Sequence, residues 1–320
     1  MGFKDPLQME EEIQVNFSEI EKQSKDWHDK GFKIMVVYQP ITGGSVATPF
    51  YGSMLSALSG EIWYYMLEKH NIIIKPYVCP HFPIDANRNM AVADARERYG
   101  ADFIMFMDTD QTFPAKTIPM LYEELLRRQA QNPICVSAGM YFVKKNPWRA
   151  VFGDYGAWDK NSEPFREQLA QMGLVDADGN QLLWWRPVDF WEPNSVFQVD
   201  VIGAGCMMMP TSVFDAIEAP FFKYMPDLKN PGKQVSEDMW FCAQLKKAGI
   251  PIWMNSNVSC GHLSAYEVNE VLFSNQRDTL FENMEKGKAQ EVYSKLNDRR
   301  SAASISKFKG EVLGLDLGDE

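Results

Sequence analysis

The sequence predicts an α/β protein, with a mostly parallel, Rossmann-like central sheet flanked by helices and an aromatic-rich insertion. Three observations carry that reading. From Ile34 to Met140, short apolar runs suited to strands alternate with stretches of helical period, the order that builds parallel sheets. One run, Phe103-Ile104-Met105-Phe106-Met107, is apolar at every position, as in a strand buried on both faces, and ends abruptly in Asp108-Thr109-Asp110. Between residues 144 and 198 the alternation fails, and Trp148, Trp158, Trp184, Trp185 and Trp191 crowd among prolines and glycines.

Residues 1–31 form a polar lead-in whose apolar positions (Ile13, Phe17, Ile20) suit one amphipathic helix. Ile34 to Tyr38 is the first strand, broken at Gln39-Pro40-Ile41-Thr42-Gly43-Gly44. A helix from Tyr51 to His70 follows, with Leu55, Leu58, Ile62 and Tyr65 on one face. Ile72 to Val78 is the second strand, and a helix from Asn87 to Tyr99 is closed by Gly100. After the Phe103 strand, Thr112 caps the next helix, Pro114 enters its first turn, and Ile118, Leu121 and Leu125 make its buried stripe. Ile134 to Met140 and Val199 to Ile202 read as strands, the latter running into Gly203-Ala204-Gly205. Ser236-Glu237-Asp238 opens a helix that Gly249 ends, and Ile250 to Met254 is the last strand. The expected organisation is a lead-in (1–31), one catalytic-sized domain (32–286) whose insertion (144–198) covers the open sheet edge, and a polar tail (287–320).

Composition narrows the function. The chain has 320 residues, 45% of them hydrophobic, enough for one large core. No apolar stretch approaches the ~20 residues needed to span a bilayer, and the acidic amino terminus does not resemble a signal peptide, so the expected location is the cytoplasm with no membrane partner. No obligate protein partner is indicated. The five cysteines are scattered and unpaired in sequence, and read as buried thiols. A net charge of −11 argues against a broad nucleic-acid surface. Lys144, Lys145, Arg149 and Arg186 remain as a local basic cluster.

Two carboxylates at the exit of a buried strand lie where open α/β sheets place their ligands, and suit a hard divalent cation. Taken in order, Asp108-Thr109-Asp110, Gly203-Ala204-Gly205, Ser236-Glu237-Asp238 and Gly261-His262 resemble the motifs of the GT-A nucleotide-sugar glycosyltransferases, in particular the family-2-like branch, over roughly Lys33 to His262. The resemblance implies a GT-A-type sheet, a nucleotide-sugar donor and a Mn²⁺ or Mg²⁺ ion. It implies Asp110 and His262 as metal ligands, with Asp108 reaching the ribose or the metal through water. An imidazole among the ligands favours Mn²⁺.

Asp238, with Glu237 beside it, is the expected catalytic base of an inverting transfer, although retaining members share the fold. Alternatively, the two acids simply favour the helix dipole. Pro40, Thr42, Arg88, Asn89, Asp108, Thr109 and the Gly203-Ala204-Gly205 turn are expected at the donor, where the glycines permit close approach. Trp184 and Trp185 are expected either at the acceptor or packing the insertion on the core. The soluble, anchor-free sequence also resembles bacteriophage glycosyltransferases, some of which modify bases of DNA; a carbohydrate or small-molecule acceptor is the alternative. A nucleotide-sugar-forming nucleotidyltransferase and a non-catalytic carbohydrate-binding protein are the remaining alternatives. The first needs a basic glycine loop that Pro40 to Gly44 lacks.

Overall fold

In a computed structural model, the described residues are 19–41, 47–80, 83–144, 148–264, 267–270 and 273–274. Helix α1 (19–29) leads into strand β1 (Lys33–Ile41), helices α2 (Thr48–Ala57) and α3 (Gly60–His70), strand β2 (Ile72–Pro80) and helix α4 (Ile84–Glu97). Strands β3 (Phe103–Met107) and β4 (Gln111–Thr112), helix α5 (Thr117–Gln129) and strand β5 (Val136–Met140) follow. The insertion supplies β6 (Phe152–Tyr155), α6 (Arg166–Gln171), β7 (Trp185–Pro187) and β8 (Val196–Val199). Then come β9 (Val201–Ile202), β10 (Cys206–Pro210), β11 (Met225–Pro226), β12 (Gln234–Val235), α7 (Glu237–Lys247), β13 (Ile252–Ser259), β14 (Gly261–Leu263) and β15 (Glu267–Val268).

Seven strands make the central sheet in the order β2-β1-β3-β10-β5-β13-β8. β2, β1, β3, β5 and β13 share one direction, and β10 and β8 oppose it. The sheet is therefore mostly parallel, with helices on both faces. Alternation explains the burial of both faces: Ile34, Val36, Tyr38, Ile104 and Phe106 pack with Ala91, Val92 and Phe241, whereas Met35, Val37, Phe103, Met105 and Met107 pack with Ile118, Leu121 and Leu125. At one end of the sheet order β8 pairs antiparallel with β13. All five cysteines are buried free thiols. No helix among the described residues is long and apolar enough to cross a membrane.

Several expected elements differ. The helix expected from Tyr51 to His70 is two helices, parted where Ser59 is extended (ψ 158°) just before Gly60, a poor helix former. Thr112 is not a helix cap: it lies in β4, opposite Gly261, and the helix begins only at Thr117, whose hydroxyl bonds Pro114 O at 2.7 Å. The strand expected from Val199 to Ile202 breaks at Asp200, whose carboxylate accepts from Lys246 Nζ (2.7 Å) and from the Tyr155 amide (3.2 Å). Residues 1–18, Thr42, Gly43, Gly44, Lys145 and the tail (287–320) lie outside the described residues.

Candidate functional site

Parallel strands end together, so the sequence motifs that follow them meet at one edge of the sheet. The Asp108 amide donates to Gly205 O at 2.9 Å, tying the acidic motif after β3 to the glycine turn before β10. Thr109 Oγ1 donates to Pro40 O at 2.8 Å, joining the end of β1. Leu263 N donates to Asp110 O at 2.7 Å, and His262 pairs with Gln111 across β14 and β4. Helices α4 and α7 bring Arg88 and Glu237 to the same place.

Arg88 organises the interior of the site. Its guanidinium, 4% exposed, donates to both oxygens of Asp108 (3.0 and 2.9 Å) and to Glu237 Oε1. The Arg88 Nε has no partner and is buried. One guanidinium thus faces Asp108, Glu237 and the adjacent Asp238. Burial raises the Asp108 carboxyl, with Arg88 opposing and Asp110 adding to the rise. Burial likewise pushes Glu237 up to about 7; Arg88 opposes the shift and the Asp238 charge reinforces it. Glu237 therefore holds a proton in the native state over a range where the unfolded chain has released it. Stability contributed by this group is greatest below the ordinary glutamate range and is lost as pH rises toward and through about 7. In Glu237→Gln, urea midpoints measured from pH 4.5 to 8 should show a flatter decline than in the parent protein, and an unchanged slope would contradict this assignment.

Of the three residues expected at a metal, two face each other. Asp108 is turned to Arg88, while Asp110 and His262 face each other with Oδ2 to Nε2 at 3.6 Å. Among the described residues no three His, Cys, Asp or Glu side chains are gathered as a ligand set. His262 Nδ1 lies 2.6 Å from Phe142 O, a carbonyl that can only accept, so Nδ1 carries the proton and Nε2 is directed at Asp110. A carboxylate oxygen and an imidazole nitrogen so placed fit a divalent cation of the Mn²⁺ type. Lys144 Nζ, 2.5 Å from the same Asp110 oxygen, stands beside them. Burial would raise the Asp110 carboxyl, but His262 and Lys144 outweigh it and hold the group well below the usual carboxylate range.

The glycine turn has no room for side chains. A Cβ on Gly203 would fall 1.9 Å from Tyr141 Oη, and one on Gly205 would fall 1.9 Å from Gln111 Nε2. Tyr141 and Gln111 thus occupy the places where side chains at these two positions would begin, and Ala204 between them is buried. Tyr141 accepts the Gly205 amide at 3.1 Å, and its ring meets the His262 ring edge-on at 5.4 Å. Gln111 is fully buried with neither side-chain polar atom partnered. Tyr141 and Gln111 were not legible as site residues, although Tyr141 stands at the exit of β5 as Asp108 stands at the exit of β3.

Asp238 is half-buried at the start of α7, and its Oδ1 accepts from Ser236 Oγ and from the Met239 amide (2.9 Å). Asn89 is committed elsewhere: its amide bonds the Asp85 and Phe222 carbonyls and the Phe221 and Phe222 amides at 2.7–3.2 Å. Trp184 packs against Phe165 (5.7 Å) under Lys229 (3.8 Å), and Trp185 sits half-buried in β7; both rest on the core, the packing alternative. Of the basic cluster, Lys144 belongs to Asp110, Arg186 is opposite Asp154 in the β6–β7 ladder, and Arg149 is exposed.

No protein-family model and no curated protein sequence matches the chain. Among solved structures it is similar to A197 from STIV, with 15% identity over 72% of this chain and 85% of that one (TM-score 0.42). It is also similar to GalNAc-T7 crystallised with UDP, GalNAc and Mn²⁺, with 11% identity over 74% of this chain and 44% of that one (TM-score 0.41). The S. aureus TarS 1–349 structure shares 12% identity over 90% and 76% (TM-score 0.33). The assignment of an α/β fold stands on the sheet order itself.

Proposed function

We propose that this chain is a metal-dependent glycosyltransferase that moves a sugar from a nucleotide-sugar donor to an acceptor hydroxyl. The observation that carries the reading is the meeting of Asp108, Asp110, Gly205, Glu237, Asp238 and His262 at one carboxyl edge of the sheet, from segments up to 154 residues apart in sequence. Asp110 and His262 would hold the cation, which when bound offsets negative charge developing on a departing diphosphate.

In this reading Asp238 takes the proton of the acceptor hydroxyl as that oxygen bonds the anomeric carbon and the bond to the diphosphate oxygen breaks. Glu237, tied to Arg88, orients the site instead of sharing that task. The accompanying role of Arg88 is to fix the Asp108 carboxylate that faces the ribose side of the donor. A modified base of DNA is one acceptor class and a carbohydrate hydroxyl the other. Arg149 and Arg186 are the basic residues whose substitution tests the first without touching Asp110.

The test is release of nucleoside diphosphate from a panel of sugar nucleotides, with and without Mn²⁺, against hydroxymethylated-pyrimidine DNA and free sugars. Asp110→Ala and His262→Ala should each weaken Mn²⁺–nucleotide binding by about tenfold or more in calorimetry while retaining the fold. Unchanged affinity in both variants, or no donor turned over, would remove the proposal.

A further inference from the structure

We propose that Lys144 is a tethered cation that shares the metal position on Asp110 and competes with the divalent ion for it. The inference rests on Asp110 and His262 being the metal ligands of the reading above. Three observations lead to it. The Lys144 ammonium lies 2.5 Å from Asp110 Oδ2, the same oxygen that faces His262 Nε2. The side chain is 36% exposed, so it can leave this position without unpacking the core. Finally, it follows directly on a fixed segment: Phe142 bridges Ala150, the Val143 amide donates to Arg149 O at 2.9 Å, and the Phe142 carbonyl holds His262. One short segment thus orients the imidazole ligand and delivers the competing charge.

An ammonium and a divalent ion cannot both sit against one carboxylate oxygen without strong repulsion. Binding of the ion therefore includes the cost of breaking the Lys144–Asp110 pair. The ammonium that is set free then favours an anion nearby, so a nucleoside diphosphate arriving with the ion offsets that cost. Lys144 makes the site weak for a bare ion and stronger for an ion that brings phosphate, which is a selectivity for the metal complex of the donor over the metal alone.

The experiment uses Mn²⁺ alone, so it does not depend on finding the donor or on turnover. Free Mn²⁺ is counted by electron paramagnetic resonance during titration of the whole protein, Lys144→Met and Lys144→Arg, with circular dichroism confirming that each is folded. Lys144→Met should bind Mn²⁺ about fivefold or more tightly than the parent, the equivalent of one exposed charge pair removed, and Lys144→Arg should stay close to the parent. Adding UDP should increase Mn²⁺ affinity by a larger factor in the parent than in Lys144→Met. Equal or weaker Mn²⁺ binding in Lys144→Met overturns the inference, and so does absence of Mn²⁺ binding in both proteins, since removal of the ammonium should have opened the site. Tighter binding in Lys144→Met with no donor ever turned over would instead sink the glycosyltransferase reading and leave the competition intact.

Discussion

Asp238→Asn is expected to lower turnover by about 10²–10⁴-fold while donor affinity stays within about twofold. The amide keeps the size of the carboxylate and still offers an oxygen to Ser236 Oγ and the Met239 amide, so the start of α7 retains its geometry. What is lost is the proton acceptor. Glu237 does not take its place in this reading, because its carboxylate is buried and engaged by Arg88. Steady-state kcat and nucleoside diphosphate binding by calorimetry separate the two quantities. Near-parental kcat in Asp238→Asn would return Glu237 and Asp238 to the role of first-turn acids that favour the helix dipole.

The largest effect on stability is expected from Arg88→Met, at about 3–5 kcal/mol, because it leaves two carboxylates without their counter-charge in a buried setting. Asp108 has both oxygens on this guanidinium and stays partly exposed, whereas Glu237 is 4% exposed and cannot recruit water without opening the site. The double variant Arg88→Met/Glu237→Gln should recover part of the loss, since one of the stranded charges is then gone. Urea unfolding of the four members of that cycle measures the coupling. A loss under about 1 kcal/mol in Arg88→Met, or simple additivity in the double variant, would mean that the pair is solvated and contributes little.

What the sequence made legible follows from how local each signal is. The strand from Phe103 to Met107 agrees at both ends, because five consecutive apolar residues followed by two acids admit few other readings. The start of α7 is equally local: Ser236 is extended and the acids follow it. The break at Ser59-Gly60 was masked by an apolar stripe that continues in register through it. Thr112 looked like a cap because its neighbours suit one, and its true partner, Gly261, is far along the chain.

The site divides the same way. The residues named from motif order do gather at one edge, but their partners were invisible: Arg88 and Glu237 are 149 positions apart, and Asp110 and Lys144 are 34 apart. Lys144 in particular reads as unpaired surface charge in sequence and in space is a partly exposed counter-ion of Asp110. Nothing local in the sequence marks Gln111 and Tyr141 as the residues that roof the glycine turn.

The reversed strand β10 has a consequence for the time order of folding. β3 and β5 are consecutive long strands of one direction, joined through α5, yet they do not touch: β10 lies between them and pairs with both. The first 140 residues can therefore form the β2-β1-β3 fragment but leave β5 apart from it, and a slot stays open until the chain from Cys206 to Pro210 has crossed the intervening insertion and entered it. Closing loops of that size is entropically slow relative to neighbouring pairings. Gly205 reaches the Asp108 amide, and Tyr141 reaches Gly205, only on that insertion. The chemistry-bearing edge is thus assembled by the step that joins the two halves of the sheet, and a chain stalled before it has secondary structure but no site.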